Sequence, residues 1–293
     1  MTERQMYFPS IEAHLMPSRH VDQTFRIQVM RPFQDRNESR RFPVVYLTDG
    51  NALFDVCKGI SALIQTFKPA SPPFMLVAIG YPSESPVAGE LLRGRDLTFE
   101  GCPDFFTGFK FFREWEDVLH PKPGTRQFGG AESLQRFISE ELFPFIETRY
   151  EAAPGGRTYF GHSVGGAFGL FTLFTHPALF SNYIVSSPTV TYCGTTPSGV
   201  RYDNHDFMID RARRFIAEGH SLHGRSLYVS VGTEEEYEPQ LLNWRFTSGF
   251  YRLVGVLQGA TTLGLRMTAE ALPGESHASA CPIAFSHGIR AVL

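Results

Sequence analysis

With 293 residues, 42% of them hydrophobic and 14% aromatic, the chain can bury a large core and suits one α/β domain carrying insertions. Its formal charge of -3 and scattered basic residues exclude an electrostatic nucleic-acid binder; the densest cluster, Arg211, Arg213 and Arg214, reads as the wet face of a helix. The absence of any apolar run of about 18 residues excludes a membrane-spanning helix, and Cys57, Cys102, Cys193 and Cys281 lack paired metal-ligand spacing. The N-terminal residues show no secretion signal, so a cytoplasmic chain with unpaired thiols, no metal and no membrane or nucleic-acid partner is expected.

Two strand-like segments, 11–15 and 25–30, lead into a polar turn at 34–41. A stronger strand at 42–48 ends at Asp49-Gly50-Asn51. Val56, Ile60, Leu63, Ile64 and Phe67 recur at helical spacing, Pro72 and Pro73 stop that helix, and 74–79 is a continuous apolar run suited to a central parallel strand. Periodicity fades over 81–130, which marks an excursion above the sheet edge where ligands bind. Seven aromatic residues crowd into it: Phe99, Phe105, Phe106, Phe109, Phe111, Phe112 and Trp115. They form either a local mini-core or an apolar wall for a bulky substrate, with Phe109 and Trp115 as candidate wall residues. An amphipathic helix spans 134–146 with a kink expected at Pro144, and strand patterns recur at 157–160, 183–186, 227–231 and 265–269. The closing helix is expected over 282–293. Strand and helix patterns alternate with no linker or repeat, which predicts a single domain over 1–293.

Between the strand at 157–160 and the apolar run that follows stands Gly161-His162-Ser163-Val164-Gly165-Gly166, a serine in the G-x-S-x-G frame. The chain must reverse there within about two residues, which strains the serine backbone and displays its hydroxyl at the strand's carboxyl end. A serine hydroxyl needs a base and an orienting acid, in the chain order Ser, acid, His. His277, in the Gly-containing loop after the last strand, is the candidate base. His287 reads as a packed or surface residue of the closing helix. His162 is expected to point away from the partner of Ser163 and to be structural. The acid should follow the strand at 227–231, where Glu234, Glu235 and Glu236 are adjacent and spacing alone does not rank them. The backbone N–H groups of Val164 and Asn51 are the candidate oxyanion donors.

The runs at 42–54, 128–131, 141–146, 161–166, 176–180 and 272–277 together resemble the putative esterase family of α/β-hydrolases, and within it the siderophore trilactone esterases. The resemblance spans roughly residues 20–293. It implies an α/β-hydrolase sheet of about eight mostly parallel strands flanked by helices, without a large separate cap domain, and no cofactor. Carried over residue by residue, it makes Ser163 the nucleophile, His277 the base and Glu235 the acid. The stretch 93–98 resembles the family's Arg-containing border of the substrate pocket, so Arg93 or Arg95 is expected to meet an anionic substrate group. Tyr192, in the segment 187–192 that departs from the siderophore-esterase pattern, is a further candidate pocket residue. The implied activity is that of a serine carboxylic-ester hydrolase working through an acyl-enzyme on a bulky ester, lactone or oligoester of a siderophore or other secondary metabolite. An acyltransferase using the same site, or a silent α/β-hydrolase serving as a binding protein, are the alternatives.

Overall fold

The computed structural model describes residues 10–32, 41–67, 72–83, 86–100, 102, 128–195 and 199–293. Among these residues ten strands run in chain order as β1 (Ile11–Ser18), β2 (Gln23–Met30), β3 (Phe42–Leu47), β4 (Met75–Gly80), β5 (Ala152–His162), β6 (Asn182–Ser186), β7 (Tyr192–Thr195), β8 (Arg201–His205), β9 (Ser226–Gly232) and β10 (Arg266–Leu272). Eight of them build one sheet in the order β1-β2-β4-β3-β5-β6-β9-β10, and β7 and β8 form a separate antiparallel hairpin. In the sheet only β2 runs against its neighbours. Burial follows from the sequence: β4 and β9 are apolar or small throughout and buried at every position, as strands covered on both faces must be. The edge strand β1 alternates between exposed and half-buried residues.

Among the described residues eight helices flank the sheet: α1 (Gly50–Phe67), α2 (Pro86–Leu97), α3 (Ala131–Phe137), α4 (Phe143–Arg149), α5 (Val164–Thr175), α6 (Phe207–Glu218), α7 (Phe246–Leu257) and α8 (His277–Val292). The two-residue period of a strand sorts side chains between the layers. Val44 and Tyr46 of β3 join the core shared with α3 to α7, whereas Val45 and Leu47 join Phe54 of α1 and Phe285 of α8. Helix α5 is buried at every position from Val164 to Phe174; its large apolar side chains contribute about 1.5–3 kcal/mol each by burial. Among the described residues no helix is long and apolar enough to cross a membrane.

Four expectations change. Helix α2 lies inside the excursion where periodicity fades. The kink expected at Pro144 appears just before it, as a π-helical stretch at Ile138–Leu142 between α3 and α4; Pro144 has no N–H for the carbonyl four residues back, and the wider turn absorbs that loss. The closing helix starts at His277, because Ser276 and Ser279 bond each other's backbone N–H in a capping box, leaving Pro282 inside it. Arg211 is not on the wet face of α6: its guanidinium lies 5.2 Å from the Phe99 ring and 4.9 Å from that of Phe171. Phe99 stacks on Phe171 at 4.5 Å as core. The other six aromatics of the excursion, Phe109 and Trp115 among them, lie outside the described residues.

Candidate active site

The carboxyl ends of β5, β6, β9 and β10 converge. At the end of β5, Ser163 adopts φ 59° and ψ -119° and makes no side-chain cap to α5, so its hydroxyl is left for the site. The turn is this tight only because two glycines permit it. A Cβ on Gly161 would fall 2.3 Å from the Gly165 carbonyl oxygen, and one on Gly165 would fall 2.7 Å from the Thr48 hydroxyl. The elbow is pinned from β6: Ser163 N–H donates to the Ser186 carbonyl at 3.0 Å, and the Ser163 carbonyl accepts from Thr189 N–H at 3.2 Å.

Glu235 sits in a 3₁₀ turn, Thr233–Tyr237, directly after β9 and is fully buried. Its Oε1 accepts from Gly232 N–H and from the Ser187 hydroxyl, both at 2.6 Å, and its Oε2 lies 2.6 Å from His277 Nδ1. A buried carboxylate costs several kcal/mol unless its lone pairs are met, and here three donors meet them. The flanking glutamates do other work. Glu236 accepts from the N–H groups of Thr247 and Ser248 and from the Ser248 hydroxyl, capping α7, while Glu234 is exposed. Glu238 accepts from His277 N–H at 2.6 Å, fixing the start of α8.

The His277 ring lies between His162 and Phe246, with centroids 4.4 and 4.5 Å away. His162 thus faces the candidate base instead of pointing away from it. The reason is strand alternation: Phe160 and His162 share one face of β5, and that face meets α8, where Phe160 packs on Phe285 at 4.9 Å. His162 Nδ1 is 3.0 Å from the Ser186 hydroxyl. Burial, then the neighbouring charges of His277 and Arg93, hold the His162 imidazole well below its ordinary pKa of 6.5, so it stays neutral. The sign of the linkage follows. Below about pH 6.5 the unfolded chain binds a proton at His162 that the folded chain refuses, so stability falls as pH drops through that value. Melting wild type and His162→Asn at pH 7, 6 and 5 should give a shallower acid decline for the variant; parallel profiles would contradict this.

Ser163, His162 and His277 line one cavity of about 660 Å³, together with Asp49, Asn51, Tyr81, Glu90, Arg93, Arg26 and Cys281. Among the described residues no hydrogen bond joins Ser163 Oγ to His277; such bonds are often long before substrate binds. Val164 and Asn51 both stand in the first turns of helices, where backbone N–H groups have no intrahelical acceptor. The Asn51 side chain accepts from Tyr81 N–H at 2.6 Å and donates to the Tyr81 carbonyl at 2.9 Å, which ties the start of α1 to the end of β4.

The two arginines expected at the substrate divide. Arg93 lines the cavity but is held bidentately by Asp49, at 2.7 and 2.9 Å, with Glu90 at 3.4 Å. Desolvation opposes its charge, and the Asp49 carboxylate more than offsets this and raises its pKa. Arg95 is not a cavity residue: it is buried against Asp96 at 2.6 and 3.0 Å, and Asp96 also accepts from Tyr81. Two residues apart on a helix, the side chains point about 200° apart, so only one of the pair can face the site. Tyr192 is likewise outside the cavity, buried at the start of β7 with its ring 5.4 Å from that of Trp244. Sequence reasoning missed Asp49, Ser187 and Glu238 as supports of the site and Arg26 as part of its wall. Ser187 carried one readable signal, its place in a Ser-Pro turn after β6.

The strand order with its single reversed strand, the serine on a strained strand-to-helix turn, and the order Ser, Glu, His along the chain define an α/β-hydrolase of the serine-esterase class. The chain belongs to the putative esterase family, which it matches over residues 108–279, and it is a carboxylic-ester hydrolase. It is similar to the ferri-bacillibactin esterase BesA of Bacillus subtilis (strain 168), at 27% identity covering 100% of this chain and 92% of the relative. The siderophore enterobactin esterase of Emericella nidulans is 34% identical over 66% of this chain and 58% of its own length. Among solved structures, siderophore hydrolase EstA from Aspergillus nidulans superposes with a TM-score of 0.69 at 26% identity, covering 95% of this chain and 92% of that one.

Proposed function

We propose that the chain opens a siderophore ester or lactone through an acyl-enzyme on Ser163, with His277 as base and Glu235 as acid. The observation that carries this reading is the 2.6 Å contact from Glu235 Oε2 to His277 Nδ1, made by a histidine that shares a cavity with the strained Ser163. With Nδ1 engaged by the carboxylate, Nε2 is the nitrogen left to take the serine proton. Oγ then bonds the ester carbonyl carbon while its proton moves to Nε2, and the negative oxygen that results is met by the N–H groups of Val164 and Asn51. Collapse breaks the ester C–O bond, and the departing alkoxide takes the proton back from Nε2. Water repeats the sequence and frees the acid. His162 stays neutral beside His277, so the new imidazolium does not face a second charge.

The similarity to esterases of ferri-bacillibactin and enterobactin supports a siderophore substrate, and a cavity of about 660 Å³ suits part of such a molecule. The four free cysteines suit work in the reducing cytoplasm. The test is product analysis on a panel of a catecholate trilactone with and without iron(III), a hydroxamate ester chelate, and simple acetyl and aryl esters. The reading requires a siderophore ester to be cleaved with the highest kcat/KM; preference for a simple ester over every chelator ester would overturn the substrate class.

A further inference from the structure

The cavity wall holds a cation that the proposed mechanism leaves unused. Arg26 lies on β2, in register with Gly80 at the end of β4, and its side chain lines the same cavity as Ser163 and His277. The place of a Gly80 side chain is taken by the Asn51 amide, and across the sheet on the other side the partner of Arg26, Leu15, is exposed. Among the described residues the guanidinium has neither a hydrogen bond nor an ion pair, and its Nε is buried without any acceptor. The nearby carboxylates of Asp49 and Glu90, which also line the cavity, are both engaged by Arg93. Arg95 is consumed by Asp96. Among the described cavity residues, the arginine left without a partner is therefore remote in sequence from the stretch 93–98.

An arginine is costly to bury with an orphaned donor, and its five N–H groups form a fork suited to anionic oxygens. We propose that Arg26 is the anion-recognition residue of this cavity, holding an anionic oxygen of the ester substrate, either a carboxylate or a metal-bound catecholate. The proposal rests on the esterase reading and adds to it the charge of the substrate and the residue that senses it.

Three aryl esters decide the matter: one ending in a free carboxylate, its methyl-capped neutral counterpart, and one carrying an iron(III) catecholate. The readout is the ratio of kcat/KM for each charged ester to that for the neutral one. Arg26→Gln should lower that ratio roughly 10- to 100-fold, mainly through KM, as loss of a charge-assisted hydrogen bond does. Arg26→Lys, which keeps a charge but not the fork, should recover part of it. A fall confined to the carboxylate ester, or to the catecholate ester, identifies which oxygen is held. Because the neutral ester is measured on the same protein, a general loss of folding leaves the ratio unchanged; should Arg26→Gln not fold, Arg26→Met keeps the apolar stem and gives the same readout. A ratio within twofold of wild type for both charged esters overturns the proposal. If wild type cleaves none of the esters, the hydrolase reading fails instead. Calorimetric binding of the charged and neutral esters to Ser163→Ala, with and without Arg26→Gln, then still tests Arg26.

Discussion

Ser163→Ala is expected to fold as wild type does and to lose ester turnover by roughly 10⁴-fold or more. Folding should survive because the hydroxyl makes no cap to α5, and because alanine meets the same positive φ that serine already tolerates at 59°. Turnover should collapse because the proposed mechanism acylates this hydroxyl, and water held in its place lacks that fixed position beside the carbonyl carbon. The residual rate would come from the N–H groups of Val164 and Asn51, which polarise the carbonyl without a nucleophile. Melting curves together with kcat on an aryl ester separate the two effects. Turnover within tenfold of wild type would remove Ser163 from the chemistry.

The acid assignment carries the second large effect. Glu235→Gln keeps an oxygen for Gly232 N–H and Ser187 but turns an amide N–H₂ toward His277 Nδ1. That donor favours the tautomer with the proton on Nε2, where the serine proton must go, and a loss of roughly 10³–10⁴-fold in kcat is expected by analogy with other triads. His277→Ala should approach the Ser163 variant. The neighbours provide controls of different kinds. Glu234→Gln, at an exposed position, should leave turnover near wild type. Glu236→Gln weakens the cap of α7 and should show in stability, by about 1 kcal/mol, more than in rate. Near-full activity in all three glutamine variants would describe the site as a Ser-His dyad oriented by something other than this cluster.

How much of this was legible depends on the range over which each feature is encoded. The elbow is local: glycine, serine and glycine within five residues force a turn that cannot form otherwise, and the structure shows it with Gly161 and Gly165 in close contact. The sheet strands were legible for the same reason, since continuous apolar runs such as 74–79 have few alternatives to a buried strand. Helix α2 was not, because Gly89, Gly94 and its charged residues dilute the apolar period while Asp49 and Asp96 satisfy its arginines from outside and inside the helix. That unseen helix is also why Arg93 and Arg95 looked equivalent. The ranking of the three glutamates by the residues themselves was beyond reach, since it depends on Ser187 and His277 arriving from 48 and 42 positions away. Arg26 had no local signal at all: a single basic residue in an alternating strand becomes notable only when it is found in the cavity wall and the two carboxylates there, Asp49 and Glu90, are found paired with Arg93.

The most direct measurement is mass spectrometry of the chain after reaction with a fluorophosphonate, followed by peptide mapping. The account predicts one adduct per chain, on Ser163, that is absent from Ser163→Ala and slowed severely in His277→Ala. An adduct on any other residue, or none while ester turnover persists, would contradict it.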